Sequence, residues 1–169
     1  HIELARLLPM VPESHKIKDV PTLDKTDNFY APAALVTLVE YFEGDLPFAE
    51  AVRMTYSPNA TGPSTEAFAM ALKRLGYIAA PINTLDDVYK EVAANNPVVI
   101  LRNNSFEGFK LLPKWQFSLV VGYRLASQQI LTNEGEQRDY WQPASFIEST
   151  WQKAGNWGYV AVPPHKLPA

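Results

Sequence analysis

Between Asp27 and Gly44 the apolar residues fall at helical spacing: Leu35, Leu38, Val39 and Phe42 recur on one face, and Val36 widens the stripe. The segment therefore reads as a helix of about three turns, amphipathic to largely buried. Asp27 or Asn28 is placed to cap it, Pro32 suits its first turn, and Gly44 stops it. The rest of the chain is read as packing around this central helix.

Ahead of it, residues His1 to Lys18 form an extended lead-in with room for a short helix over Ile2 to Leu8, and Asp19 to Leu23 reads as a short edge strand. After it, Leu46 to Val52 suggests a second helix, and Ser57 to Pro63 is turn chemistry throughout. Ser64 caps a helix over Thr65 to Leu75 that ends at Gly76, and Tyr77 to Ala80 is a short strand. Thr84 opens a further helix, with Asp87 three residues on, that ends at Asn95-Asn96-Pro97.

The period then changes from helix to strand. Pro97 to Arg102 is an apolar run suited to a buried strand, and Trp115 to Tyr123 alternates, with Trp115, Phe117, Leu119, Val121 and Tyr123 on one face. Gln129 to Thr132 and Gln137 to Trp141 read as strands, Pro143 to about Trp151 as a helix, and Trp157 to Val162 as a last strand. Helices followed by a mostly antiparallel sheet give an α+β fold, here one domain over 19–164 with residues 165–169 opening a linker.

Composition narrows the chemistry. The chain has 169 residues, 47% hydrophobic, enough for one substantial core, and a net charge of -3 without a basic run argues against a nucleic-acid partner. It contains no cysteine, which removes disulfides, thiolate metal sites and thiol nucleophiles together. No apolar run approaches the roughly 20 residues of a membrane helix. Asn133, Glu134 and Asp139 cluster near a turn without a histidine, so neither a metal nor another cofactor is expected. Ser64, Ser105 and Ser118 have no base to activate them.

Several words of the sequence resemble the double-glycine, bacteriocin-processing cysteine peptidases, a papain-like family. Phe29-Tyr30-Ala31-Pro32-Ala33-Ala34-Leu35 is similar to that family's Cys-Gly-Pro-Ala-Ala-Leu, with Tyr30 where the thiol stands. Trp115-Gln116-Phe117-Ser118-Leu119-Val120-Val121-Gly122-Tyr123 is similar to the strand carrying the catalytic histidine, with Gln116 in its place. The likeness runs from about Val20 to Pro164 and implies a papain-like fold. It also implies that Lys25 replaces the oxyanion glutamine and that Asn133 occupies the orienting position.

Cysteine-protease chemistry needs a thiolate, an imidazole to move its proton and a group to orient the imidazole. With Tyr30, Gln116 and Lys25 at the places of nucleophile, base and oxyanion donor, the resemblance implies a catalytically dead relative. The leading reading is a module that binds an extended peptide or partner protein in the inherited groove, through Tyr30, Gln116, Phe29, Phe106, Phe109 and Asn133. Tyr30 is either a core aromatic filling the vacated site or a platform for a peptide. Gln116 either holds Tyr30 or Asn133 or meets ligand, and Phe106 and Phe109 either tuck into the core or form a lip of the groove. A structural domain with a closed groove and a hydrolase with rebuilt chemistry are the alternatives. Resemblance also implies a periplasmic or envelope location in a bacterium.

Overall fold

A computed structural model describes residues 11–23, 29–56, 64–104, 115–134, 137–166 and 168–169, with the side chains of 137 and 138 left aside. In chain order the elements are β1 (Ser14–Lys16), α1 (Tyr30–Tyr41), α2 (Phe48–Thr55), α3 (Thr65–Arg74), β2 (Ile78–Pro81), α4 (Leu85–Ala93) and β3 (Val98–Asn103). There follow β4 (Trp115–Arg124), β5 (Gln129–Glu134), β6 (Gln137–Pro143), α5 (Ala144–Gln152) and β7 (Gly158–Val162). The strands form one sheet in the order β2-β7-β3-β4-β5-β6, with β1 added on β4, and the pairings are antiparallel.

Burial explains the central helix. Every residue from Ala31 to Val39 is buried, because α1 lies against β4 and β5 on one side and under α2 and α3 on the other. Its ends differ from expectation. The N-cap is Phe29, whose side chain makes no capping bond, and Asp27 and Asn28 lie outside the described residues. At the other end Glu43, not Gly44, takes the left-handed conformation (φ 67), while Glu43 N–H bonds Glu40 O and Gly44 N–H bonds Val39 O. This is a Schellman closure with glutamate in the position glycine usually fills. Gly44 is required for another reason: a Cβ there would lie 2.8 Å from Val39 Cγ1.

The remaining caps follow the sequence. Ser64 Oγ accepts from Ala67 N–H at the start of α3, and Thr84 Oγ1 accepts from Asp87 N–H at the start of α4. Gly76 (φ 91) closes α3 and Asn95 (φ 65) closes α4.

Two strand readings change. Asp19 to Leu23 forms no strand, since Asp19 is left-handed (φ 60) and Pro21 lacks a donor. The added strand is Ser14–Lys16, which pairs with Gly122 to Arg124 alongside the stretch of β4 not used by β3. In β4 the register to β5 shifts between Val120 and Gly122. Tyr123 then pairs with Ile130, two residues from the Thr132 that pairs with Val120. A bulge therefore moves Tyr123 to the face opposite Phe117 and Leu119, where a straight alternation does not place it.

The faces are filled differently. Phe117 stacks on Phe68 of α3 at 5.4 Å, and both meet Trp157 edge-on. On the opposite face Ile100 and Val120 join Ile147 and Trp151 of α5 in the core. That second face also carries a buried polar cluster.

Candidate functional site

The start of α1 is an aromatic corner. Tyr30, the first helical residue, is half-buried against the core. Phe29 stays 38% exposed, its ring 6.4 Å from Phe48 and 6.1 Å from Tyr56. Three chain segments thus converge on rings that keep apolar surface in water.

Gln116, which the resemblance sets in the place of a base, is built into the interior. Its register partner on β3 is Arg102, and both side chains lie on the α5 face. Gln116 Nε2 donates to Glu134 Oε2, and Asn104 Nδ2 donates to Gln116 Oε1. Both ends of the amide are thereby committed. Arg102, 1% exposed, pairs with Glu134 at 2.8 Å, and donates also to Thr150 Oγ1 at 2.9 Å and Gln142 Oε1 at 3.2 Å. Glu134 Oε1 accepts further from Gln142 Nε2 and Thr132 Oγ1, each at 2.7 Å.

This cluster satisfies what burial demands. A cation and a carboxylate taken out of water are tolerated when each finds its counter-charge and the remaining donors and acceptors are met. Burial pushes the Arg102 guanidinium below its ordinary value, and the adjacent Glu134 opposes that shift. Arg102 remains a cation, as guanidinium groups do in proteins. Asn104 Oδ1, at the rim of the cluster, has no hydrogen-bond partner.

Asn133, expected beside Gln116, lies elsewhere. It pairs with Leu119, one residue out of phase with Gln116, Ser118 and Val120, so it sits on the opposite face, and its Oδ1 accepts from Asp139 N–H. The group that meets Gln116 is the next residue, Glu134. Alternation alone decides the matter: one step along a strand exchanges faces. Lys25, Phe106 and Phe109 fall outside the described residues.

Of the cluster's two charges, Arg102 alone had a signal in the sequence. Arg102 ends an apolar run whose five residues Val98 to Arg102 are all buried, and a charged residue on such a strand requires an acid within reach. Which acid is a matter of register. Of the described histidines, His15 pairs with Tyr123 at the far end of β4 from Gln116, and its Nε2 lies 2.7 Å from Asn95 Oδ1.

Surface cavities lie at two places among the described residues that bear on the site. One of about 440 Å³ is walled by Lys16, Lys18, Val121, Asn133 and Asp139. Lys16 pairs with Asp139 across it at 3.3 Å. The other, about 570 Å³, lies where β2 and β7 meet, beside Asn83, Thr84, Trp157 and Tyr159. Among the described residues no helix is long and apolar enough to cross a membrane.

No family model matches this sequence, and neither does any curated protein. Solved structures do match. A protein from Bacillus anthracis assigned as a C39-like peptidase superposes with a TM-score of 0.73 over 92% of this chain and 99% of its own, at 15% identity. A double-glycine-motif protease from an AMS/PCAT transporter, solved with its leader peptide, gives 0.66 over 88% and 94% at 14% identity. The peptidase domain of Streptococcus ComA, a bifunctional ABC transporter of a quorum-sensing pathway, gives 0.62 over 85% and 96% at 15% identity. The chain has the papain-like α+β fold of these C39-like peptidase domains.

Proposed function

We propose that this domain is a catalytically inactive relative of the double-glycine peptidases that binds an extended peptide, or an extended segment of a partner protein, beside the start of α1 without cutting it. The observation that supports the reading is the state of Gln116: an amide where the resemblance puts the base, with Nε2 spent on Glu134 and Oε1 on Asn104. An amide neither accepts nor returns a proton near neutral pH, and this one is anchored in a buried ion-paired cluster. Absence of any cysteine from the sequence supports it independently.

Binding is supported by two features. Phe29, Phe48 and Tyr56 offer ring surface on a fixed corner, the kind of contact that anchors peptides. One structure of the same fold was solved with a leader peptide in place. An envelope location in a bacterium accompanies this reading.

The test uses a fluorescent double-glycine leader peptide as probe. Saturable anisotropy change, weakened several-fold by Phe29→Ala or Tyr30→Ala, with the peptide intact by mass spectrometry after prolonged incubation, is the expected result. Cleavage that Tyr30→Phe abolishes overturns inactivity, and failure to bind overturns the peptide assignment.

A further inference from the structure

The cavity of about 570 Å³ at the β2–β7 junction differs in chemistry from the aromatic corner at α1. Its walls are Pro81, Ile82, Asn83 and Thr84 on one side and the segment Gly155 to Tyr159 on the other, and no carboxylate, ammonium or guanidinium is among them. The rings of Trp157 and Tyr159 are half-buried, 5.3 Å apart and inclined at 54°. Trp157 is braced from behind by Phe68 and Phe117, so its orientation is set by the core.

The opposing polar groups are fixed too. Asn156 Nδ2 donates to Asn83 O at 3.0 Å, and Ile82 N–H donates to Gly158 O at 2.9 Å, tying the two walls together. Gly158 is what lets them approach: a Cβ there would lie 2.7 Å from Ile82 O. Asn83 and Thr84 are exposed at the rim.

An uncharged concavity with rings on one wall and amide and hydroxyl groups on the other selects a ligand of the same mixed character. A charged segment gains no counter-charge there, and a wholly apolar one makes no use of the Asn83 amide at the rim. A sugar supplies both: C–H faces that lie on the negative faces of the rings, and hydroxyls that reach amides and exposed backbone. We propose that this cavity is a carbohydrate subsite for a neutral oligosaccharide, distinct from the peptide-binding corner.

The experiment titrates the whole domain with an N-acetylglucosamine tetrasaccharide, followed by tryptophan fluorescence and by amide chemical shifts. Saturation with a Kd below about 1 mM is expected, weakened by about tenfold in Tyr159→Ala and unchanged in Phe29→Ala. Should Tyr159→Ala fail to fold, Asn83→Ala, at an exposed position, takes its place with the same expected loss. No saturation at about ten times that concentration, or binding indifferent to both substitutions, overturns the proposal. Loss of peptide binding leaves this outcome untouched, so the two assignments fail separately.

Discussion

Gln116 Nε2 donates to Glu134 Oε2 across the β4–β5 ladder, joining the amide to a buried carboxylate already paired with Arg102. The contact fixes the β4 amide inside the buried cluster behind α5. Gln116 thus has a structural task whether or not a ligand reaches it.

Removing one partner of that ion pair should be severe. Arg102→Met leaves the Glu134 carboxylate uncompensated behind α5, a loss of about 3–5 kcal/mol. The double replacement Arg102→Met with Glu134→Leu should recover part of it, because both charges leave together although Gln116, Gln142 and Thr132 lose their bonds to the carboxylate. Guanidinium unfolding of the three proteins measures this. Equal losses in the single and the double variant would show that the pair is not the source of the cost.

Gln116→Ala should cost about 1–3 kcal/mol by orphaning Asn104 Nδ2 and the Glu134 oxygen. Phe29→Ala, at a 38% exposed ring, should cost less while weakening peptide binding more. Paired melting and binding curves separate the roles; the reverse pattern would place Gln116 in contact with ligand and Phe29 in the core.

Periodicity made most of the architecture legible. The apolar stripe from Leu35 to Phe42, the Ser64 and Thr84 caps, and the change to strand alternation after Pro97 placed the described helices and the main strands within a few residues, because each rests on local chemistry. Register was not legible. The bulge after Val120 turns Tyr123 to the other face, and the phase of β5 makes Glu134 rather than Asn133 the neighbour of Gln116. Such facts depend on pairing between distant segments, which spacing along one strand does not encode. Glu43 shows the same limit at a helix end: Gly44 signals the turn but sits one residue past the left-handed position.

Alkaline pH should loosen the domain through its buried phenols. Tyr123 is fully buried, its hydroxyl donates to Pro12 O at 2.9 Å, and burial raises its pKa above the ordinary 10.0. A phenol whose folded pKa is raised contributes stability that is complete below the unfolded value and is lost as pH rises through the folded one. Tyr41, Tyr56 and Tyr77 are raised in the same direction, chiefly by desolvation. Denaturant midpoints should therefore hold level through neutral pH and fall above pH 10.0. Tyr123→Phe should start lower, having lost the bond to Pro12, and fall less steeply; an unchanged slope would show that Tyr123 does not titrate with unfolding.

Two of the helix ends closed by a left-handed residue, those of α1 and α3, offer a matched comparison. At α1 an exposed Glu43 holds φ 67, where a side chain costs about 1–2 kcal/mol. Glycine there returns part of that as unfolded-chain entropy, about 0.5–1 kcal/mol, so Glu43→Gly should stabilise by somewhat under 1 kcal/mol. At α3 the arrangement is already favourable, with Gly76 at φ 91, and Gly76→Ala should destabilise by about 1 kcal/mol although a Cβ meets no atom within 4 Å. For a domain of this size each kcal/mol moves Tm by about 2–4 °C, so thermal melts should shift in opposite directions. Destabilisation by Glu43→Gly would mean that the glutamate side chain contributes more than its backbone strain removes, and would break the symmetry between the two caps.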